Sequence, residues 1–264
     1  MSIKAIFFDM DGTLYDWKNE RFPVSALHAL AALKEKGIKI FLCTARNYVS
    51  LEHFGLWDLG IDWDGCIACN GGQAEVDGEF VHKNVFAPKQ CKKIIAYCNK
   101  RHIRVLAMTP RGKFFNCGET KTFAEFSTVF VETPAPVKRY EGEEVVRLTL
   151  YCEKERDPVL ENEFPGLFYY RFHPTALDIT NAPNYKGHGV AAILKKLGFS
   201  KDEALGFGDG MDDVGMKLGL AHFVAMGNAS DAVKAEAEYV TSPVDEDGIL
   251  RGLIHYGILP KNFV

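Results

Sequence analysis
The chain has 264 residues, a formal net charge of −4, 47% hydrophobic residues and 25% charged residues. That size and balance fit a globular protein of one large domain, or of a domain carrying an insertion, with room for a sizeable core. The acidic sign argues against a nucleic-acid partner, which needs a basic surface, and no run approaches the ~18 apolar residues of a membrane span.

The first apolar run, Ala5-Ile6-Phe7-Phe8, has the length and β-favouring content of a buried strand and ends at Asp9-Met10-Asp11-Gly12. Alternate residues of a strand share a side, so Asp9 and Asp11 emerge together. Two such carboxylates repel unless a cation lies between them or one holds a proton. Residues 24–36 carry apolar positions at helical spacing, with Gly37 as the stop. A second strand, Ile38 to Cys43, ends at Thr44-Ala45-Arg46, and a third, Cys66 to Cys69, ends at Asn70-Gly71-Gly72. Asp77-Gly78 predicts a hairpin between Gln73–Val76 and Glu79–Val81. Strands separated by helices imply right-handed crossovers and a parallel sheet, whose ligands bind beyond the carboxyl ends of the strands.

From about residue 83 to 183 the rhythm changes. A helix from Pro88 to Arg101 precedes strand-like segments at 105–109, 113–116, 145–151, 167–172 and 176–180, with short helices near 120–127 and 157–164. Strands with occasional helices suggest a separate α+β unit. At Lys186 the alternation returns: a helix to Leu197, then a strand, Ala204–Phe207, ending at Gly208-Asp209-Gly210-Met211-Asp212-Asp213. Beyond it lie the strand Phe223–Met226, a helix over 230–238, the strand Tyr239–Thr241 and a last helix from about 246. The expected domains are a core over residues 1–82 and 184–264, with an insertion over 83–183.

The seven cysteines are odd in number and scattered, which does not suggest a disulfide framework. Cys66 and Cys69 form a CxxC without a second pair at zinc spacing and are read as structural. Cys91 and Cys98 fall on one helix face as small hydrophobes. With no cationic segment leading into an apolar stretch at the N-terminus, the cytoplasm is the expected location. Nothing decides between a monomer and a homodimer.

The chemistry gathers at strand ends and helix starts. Two carboxylate clusters, Asp9 with Asp11 and Asp209 with Asp212-Asp213, suit a hard divalent cation such as Mg²⁺, which commonly bridges carboxylates to a phosphate. Thr44 offers a hydroxyl followed by backbone N–H groups. Lys186 opens a helix, so its ammonium and the helix terminus both favour an anion. Together these describe a phosphoryl-transfer site. Neither a G-x-G-x-x-G fingerprint nor a P-loop motif is present.

The same four segments resemble the motifs of the haloacid dehalogenase-like (HAD) phosphatase superfamily. Phe8-Asp9-Met10-Asp11-Gly12-Thr13-Leu14 resembles its DxDGT motif, Thr44 the second motif, Lys186-Gly187 the third, and Gly208-Asp209-Gly210-Met211-Asp212-Asp213 the fourth, GDxxND. The position of the insertion is similar to the Cof-type subgroup, which has a large α/β cap and includes sugar-phosphate phosphatases. The resemblance implies an α/β fold: a Rossmann-like core with a parallel sheet flanked by helices, plus an inserted α+β cap. It implies that Asp9 is the nucleophile and Asp11 the general acid and base, which must be protonated near neutral pH. It implies Mg²⁺ held by Asp9, the backbone carbonyl of Asp11 and Asp209. Thr44, the Ala45 amide and Lys186 would bind phosphate.

Three positions depart from the family pattern. Asp212 stands where Asn is usual at a phosphate-facing position, Ala45 replaces the Gly of TGR, and Pro183-Asn184 replaces the usual Gly-Val before the lysine. Asp213 is read as orienting Lys186 or capping the next helix, Arg46 as structural or substrate-binding, and Asn70 as a turn residue or one facing the site. Tyr169, Tyr170, Arg171 and His173 either meet the body of the substrate or form the sheet of the insertion. The competing functions are a phosphomutase of the same superfamily and a phospho-aspartate signalling module. A signalling module needs only about 120 residues, one compact domain, and the Asp-x-Asp pair and the insertion both speak against it.

Overall fold
The computed structural model of the chain describes residues 2–130, 133–183 and 185–263; Asn184 of the Pro183-Asn184 departure lies outside them. The leading apolar run forms β1 (Ala5–Phe8), every residue of which is buried. It is followed by α1 (Val24–Glu35), β2 (Lys39–Cys43), a short α2 (Tyr48–His53), β3 (Gly65–Ala68), β4 (Gln73–Val76) and β5 (Glu79–Lys83). Asp77 and Gly78 join β4 to β5 with φ of 50° and 81°, the left-handed pair that a two-residue hairpin turn requires. The next elements are α3 (Pro88–Lys100), β6 (Arg104–Thr109), β7 (Gly112–Phe115), α4 (Lys121–Ser127), β8 (Arg147–Tyr151), α5 (Asp157–Glu163), β9 (Phe168–His173) and β10 (Ala176–Thr180). The chain closes with α6 (Lys186–Leu197), β11 (Ala204–Gly208), α7 (Met211–Val214), β12 (His222–Ala225), α8 (Asp231–Ala235), β13 (Tyr239–Val240) and α9 (Gly248–His255).

Two compact units result: Met1–Arg46 with Gly55–His82 and Tyr185–Val264, and Asn47–Phe54 with Lys83–Asn184. The first holds a sheet of order β13-β12-β11-β1-β2-β3-β4-β5, parallel from β13 to β3 and antiparallel between β3 and β4. Successive residues of β1 serve opposite faces. Phe7 stacks on Phe41 with ring centres 5.0 Å apart, and Phe8 stacks on Phe207 at 5.3 Å. Val190, Ile193 and Leu194 of α6 join Phe7, Phe41 and Ile67 in one cluster. On the Phe8 side α9 lies close enough that a Cβ at Gly252 would overlap the Phe207 ring. Both faces are thus covered by helices, as near-continuous apolar strands demand.

The second unit is a five-stranded antiparallel sheet of order β7-β6-β8-β10-β9. Cys91, Ile94, Ile95 and Cys98, at the i, i+3, i+4, i+7 spacing of one helix face, pack with Leu160 of α5 onto Val105, Leu148, Leu150 and Ile179. Edge strand β9 alternates, with Phe168, Tyr170 and Phe172 more exposed than Tyr169 and Arg171. Helix α2, for which the sequence reading named no element, starts at Asn47, whose side chain accepts the Ser50 N–H at 3.1 Å. Among the described residues no helix is long and apolar enough to cross a membrane.

Asp64 ties the start of β3 to its neighbours. Its buried carboxylate accepts Lys34 at 2.8 Å, Lys39 at 2.7 Å and the Ile40 N–H at 2.9 Å. Burial pushes its pKa up, but the hydrogen bonds from Lys34, Lys39 and Ile40 prevail and hold it below the ordinary 3.8. A depressed carboxyl stabilises the fold in full above its ordinary value, and the gain is lost as pH falls through the folded value. Asp64→Ala is expected to cost about 2 kcal/mol in urea unfolding near pH 7, from the loss of charge-assisted hydrogen bonds. The gap from wild type should shrink as the pH falls below 3.8.

Candidate active site
β1 is flanked by β11 and β2, with Phe8 opposite both Phe207 and Leu42. The order of the strands reverses here, since β1 leads to β2 on one side while the late strand β11 lies on the other. Such a reversal opens a crevice at the carboxyl ends. Asp9, Thr44 and Asp209 each leave one of these three strands at that end.

Lys186, 1% exposed, reaches into the crevice from the first turn of α6. Its Nζ donates to Asp9 Oδ1 at 2.7 Å, pairs with Asp213 Oδ1, and lies 3.1 Å from Asp212 Oδ2. Burial disfavours the ammonium, yet Asp213, Asp9 and Asp212 outweigh it and hold the Lys186 pKa well above that of an ordinary lysine. Asp213 is itself fixed, its Oδ2 accepting the N–H groups of Asp209 (3.0 Å) and Gly210 (2.8 Å). It therefore both orients Lys186 and caps the α7 turn, combining the two roles considered for it. Asp212 is 40% exposed on its side chain and leans on the ammonium from the solvent side.

Oxygens of Asp9, Asp209 and Asp213 lie within 4.8 Å of one another, close enough to share one cation. Burial raises the Asp9 carboxyl, Asp213 raises it further, and Lys186 opposes both. Burial followed by the Asp213 charge pushes Asp209 up to about 6. One ammonium among four carboxylates leaves an excess of negative charge, and an all-oxygen donor set suits a hard divalent cation. Asp209 is steadied by Thr13 Oγ1 at 3.4 Å and by Asn228 Nδ2 at 3.3 Å. Asn228 also donates to the Gly12 carbonyl at 2.9 Å and so joins the two acidic loops.

Asp11 is held apart from this cluster. Arg46 grips it with two parallel bonds, Nε to Oδ2 and Nη2 to Oδ1, both 2.8 Å, and Trp17 Nε1 donates to Oδ1 at 3.1 Å. Arg46 is therefore a partner of Asp11 within the site. Thr44 is fully buried, and its Oγ1 accepts the Arg46 N–H at 3.1 Å. That amide is consumed locally, which removes one of the N–H groups expected to face an anion. Ala45 is exposed at the same turn. Asn70 has left-handed φ of 57°, and its N–H donates to the Thr44 carbonyl at 3.0 Å, while its side-chain oxygen is buried without a partner. In the second unit Tyr169 bonds the carbonyls of Leu160 and Phe164, and Arg171 clamps Asp157 and the Cys152 carbonyl. His173 Nδ1 lies 3.0 Å from Thr175 Oγ1, and Tyr170 is exposed.

Sequence reasoning missed Thr13, Trp17 and Asn228. Thr13 carried a signal as the Thr of the DxDGT-like segment, and Trp17 as an aromatic residue among polar neighbours in Asp16-Trp17-Lys18-Asn19. Gly12 holds φ of 83°, and a Cβ there would overlap the Asp209 carboxylate. Gly12→Ala is expected to cost about 2 kcal/mol or more from the strained backbone alone, and to weaken divalent-cation binding, as calorimetric titration of the folded variant would read.

The family model for haloacid dehalogenase-like hydrolases matches residues 6–253. The chain is 28% identical to YkrA of Bacillus subtilis (strain 168), over 98% of this chain and 100% of that one. It is 26% identical to the pyridoxal phosphate phosphatase YbhA of Escherichia coli (strain K12), over 94% and 97%. Among solved structures, the HAD subclass IIB sugar phosphatase BT4131 superposes with a TM-score of 0.76 at 31% identity, over 97% of this chain and 100% of that one.

Proposed function
The chain belongs to the haloacid dehalogenase-like hydrolase family, and from that premise we propose that it is a Mg²⁺-dependent phosphatase of small phosphate monoesters, working through a phosphorylated Asp9. The observation that carries the reading is the Lys186 ammonium 2.7 Å from Asp9, with Asp209 within cation-sharing reach of the same carboxylate. The nucleophile is thereby held beside fixed positive charge on one side and a cation seat on the other. Substrates of the classes named for YbhA and BT4131, phosphorylated cofactors and sugar phosphates, are proposed for this chain. Buried Cys43, Cys91, Cys98 and Cys152 suit a reducing compartment, and we place the protein in the cytoplasm.

Asp9, Asp209 and the Asp11 backbone carbonyl would hold the Mg²⁺. When bound it neutralises the charge between the Asp9 carboxylate and the phosphoryl oxygens. An Asp9 oxygen attacks phosphorus, and the bond to the leaving oxygen breaks as Asp11 gives that oxygen its proton. A water then attacks the aspartyl phosphate and passes its proton to Asp11. The bond to Asp9 breaks, and phosphate and free enzyme result. Lys186, which remains charged, and the Thr44 hydroxyl would hold the phosphoryl oxygens through both steps. Asp213 keeps Lys186 in place. Asp212 competes with phosphate for the same ammonium.

Phosphate release from a panel of phosphorylated metabolites tests the reading, and an isomeric product in place of free phosphate would favour a phosphomutase. Asp9→Asn is expected to lower kcat at least about 10³-fold, in keeping with the loss of a nucleophile. Acid-quenched wild type should carry label from ³²P substrate where the variant carries none. EDTA should abolish turnover and Mg²⁺ restore it. Asp212→Asn should tighten inhibition by inorganic phosphate several-fold, since one competitor for Lys186 is gone; an unchanged inhibition constant would remove Asp212 from the phosphate seat.

A further inference from the structure
Trp17 is 50% exposed, although a large indole gains by burial. Its ring meets Tyr15 edge-on with centres 4.9 Å apart and lies 5.5 Å from the Arg46 guanidinium. Its Nε1–H donates to Asp11 Oδ1 at 3.1 Å, where Arg46 Nη2 also donates at 2.8 Å. Oδ2 takes only Arg46 Nε, at 2.8 Å.

A carboxylate presents about four lone-pair sites, two on each oxygen. Two donors fill Oδ1 and one donor half-fills Oδ2, so the remaining open site on Asp11 belongs to Oδ2. Without the Trp17 N–H both oxygens would keep one open site each, and the carboxyl would be equally presented through either. From this asymmetry we propose that Trp17 is a positioning residue: its indole N–H closes Oδ1, so that Asp11 exchanges its proton with the leaving oxygen through Oδ2 alone. The assignment rests on the phosphatase reading above and deepens it. Two planar groups, an indole and a guanidinium, then fix one carboxyl in position and in identity of its working oxygen.

Positioning of an acid matters in proportion to how badly the departing oxygen needs a proton. An alkyl alkoxide is a poor leaving group, whereas p-nitrophenolate departs unaided. The test is kcat/KM, which reports transfer to Asp9, for glycerol 2-phosphate and for p-nitrophenyl phosphate, in wild type and Trp17→Phe. Phenylalanine keeps one aromatic ring while removing the donor together with the second ring, and a thermal melt confirms that the variant folds. The expected result is a loss on the alkyl ester about tenfold larger than on the aryl ester, a fraction of the roughly 10²–10⁴ that acid catalysis supplies. Equal losses on the two esters, or none, overturn the assignment of Trp17 while leaving the phosphatase reading intact. If wild type releases phosphate from neither ester nor from any metabolite of the panel, the phosphatase reading itself fails and takes this assignment with it. A second measurement needs no turnover. The indole N–H cross-peak of Trp17, identified by its absence in Trp17→Phe, should move in Asp11→Ala, and an unmoved peak overturns the hydrogen bond.

Discussion

The buried ammonium of Lys186 is the point on which the site is hung. A lone charge out of water is expensive, and its cost is offset here by three carboxylates, of which Asp9 lies at 2.7 Å and Asp212 at 3.1 Å. Local preference opposes this arrangement as well, because a helix N-terminus disfavours a cation and Lys186 sits in the first turn of α6. Such a break with local rules persists where a function requires it. Asp213 makes the arrangement rigid. With one oxygen on Lys186 and the other on two consecutive amides, it fixes the ammonium relative to the loop that carries Asp209.

Topology does the gathering. Asp9 and Lys186 are 177 residues apart in sequence, yet their side chains share a hydrogen bond. The sheet allows this because its parallel strands, from β13 to β3, end on one edge, and the order reversal at β1 brings the first strand against β11. The chain leaves the first unit twice, briefly at Asn47–Phe54 and then for the long stretch between β5 and α6. Close approaches set the tolerance of the design: Gly12 passes so near Asp209 that no side chain fits between them. Asn228 then locks the two loops by bonding both.

Much of this was legible because strand-ending polar residues stand out against apolar runs. Ala5-Ile6-Phe7-Phe8 before Asp9, and Ala204–Phe207 before Asp209, are buried strands whose polar successors have nowhere to go except the sheet edge. Lys186 was legible from its place at the start of an apolar-periodic helix. The hairpin at Asp77-Gly78 was legible because its chemistry is local. The contacts of Trp17, Thr13 and Asn228 were not, since the partner of each is set by tertiary structure alone. Arg46 shows the same limit: the sequence placed it beside the site, but only the fold shows that its guanidinium meets Asp11. Helix α2 is six residues long, too short for periodicity to announce.

Charge balance joins these observations. Asp9, Asp209, Asp212 and Asp213 face one another with Lys186 as the cation among them, while Arg46 is engaged by Asp11. Burial, with the neighbouring aspartates behind it, raises the carboxyls of Asp9, Asp209 and Asp213. The divalent cation proposed above would relieve that repulsion through oxygens already gathered. Division of labour follows from the same map. Asp9, Asp209 and Asp213 face one another, whereas Asp11 is bound by Arg46 and Trp17, and the proposed mechanism divides charge and attack from proton exchange along that line.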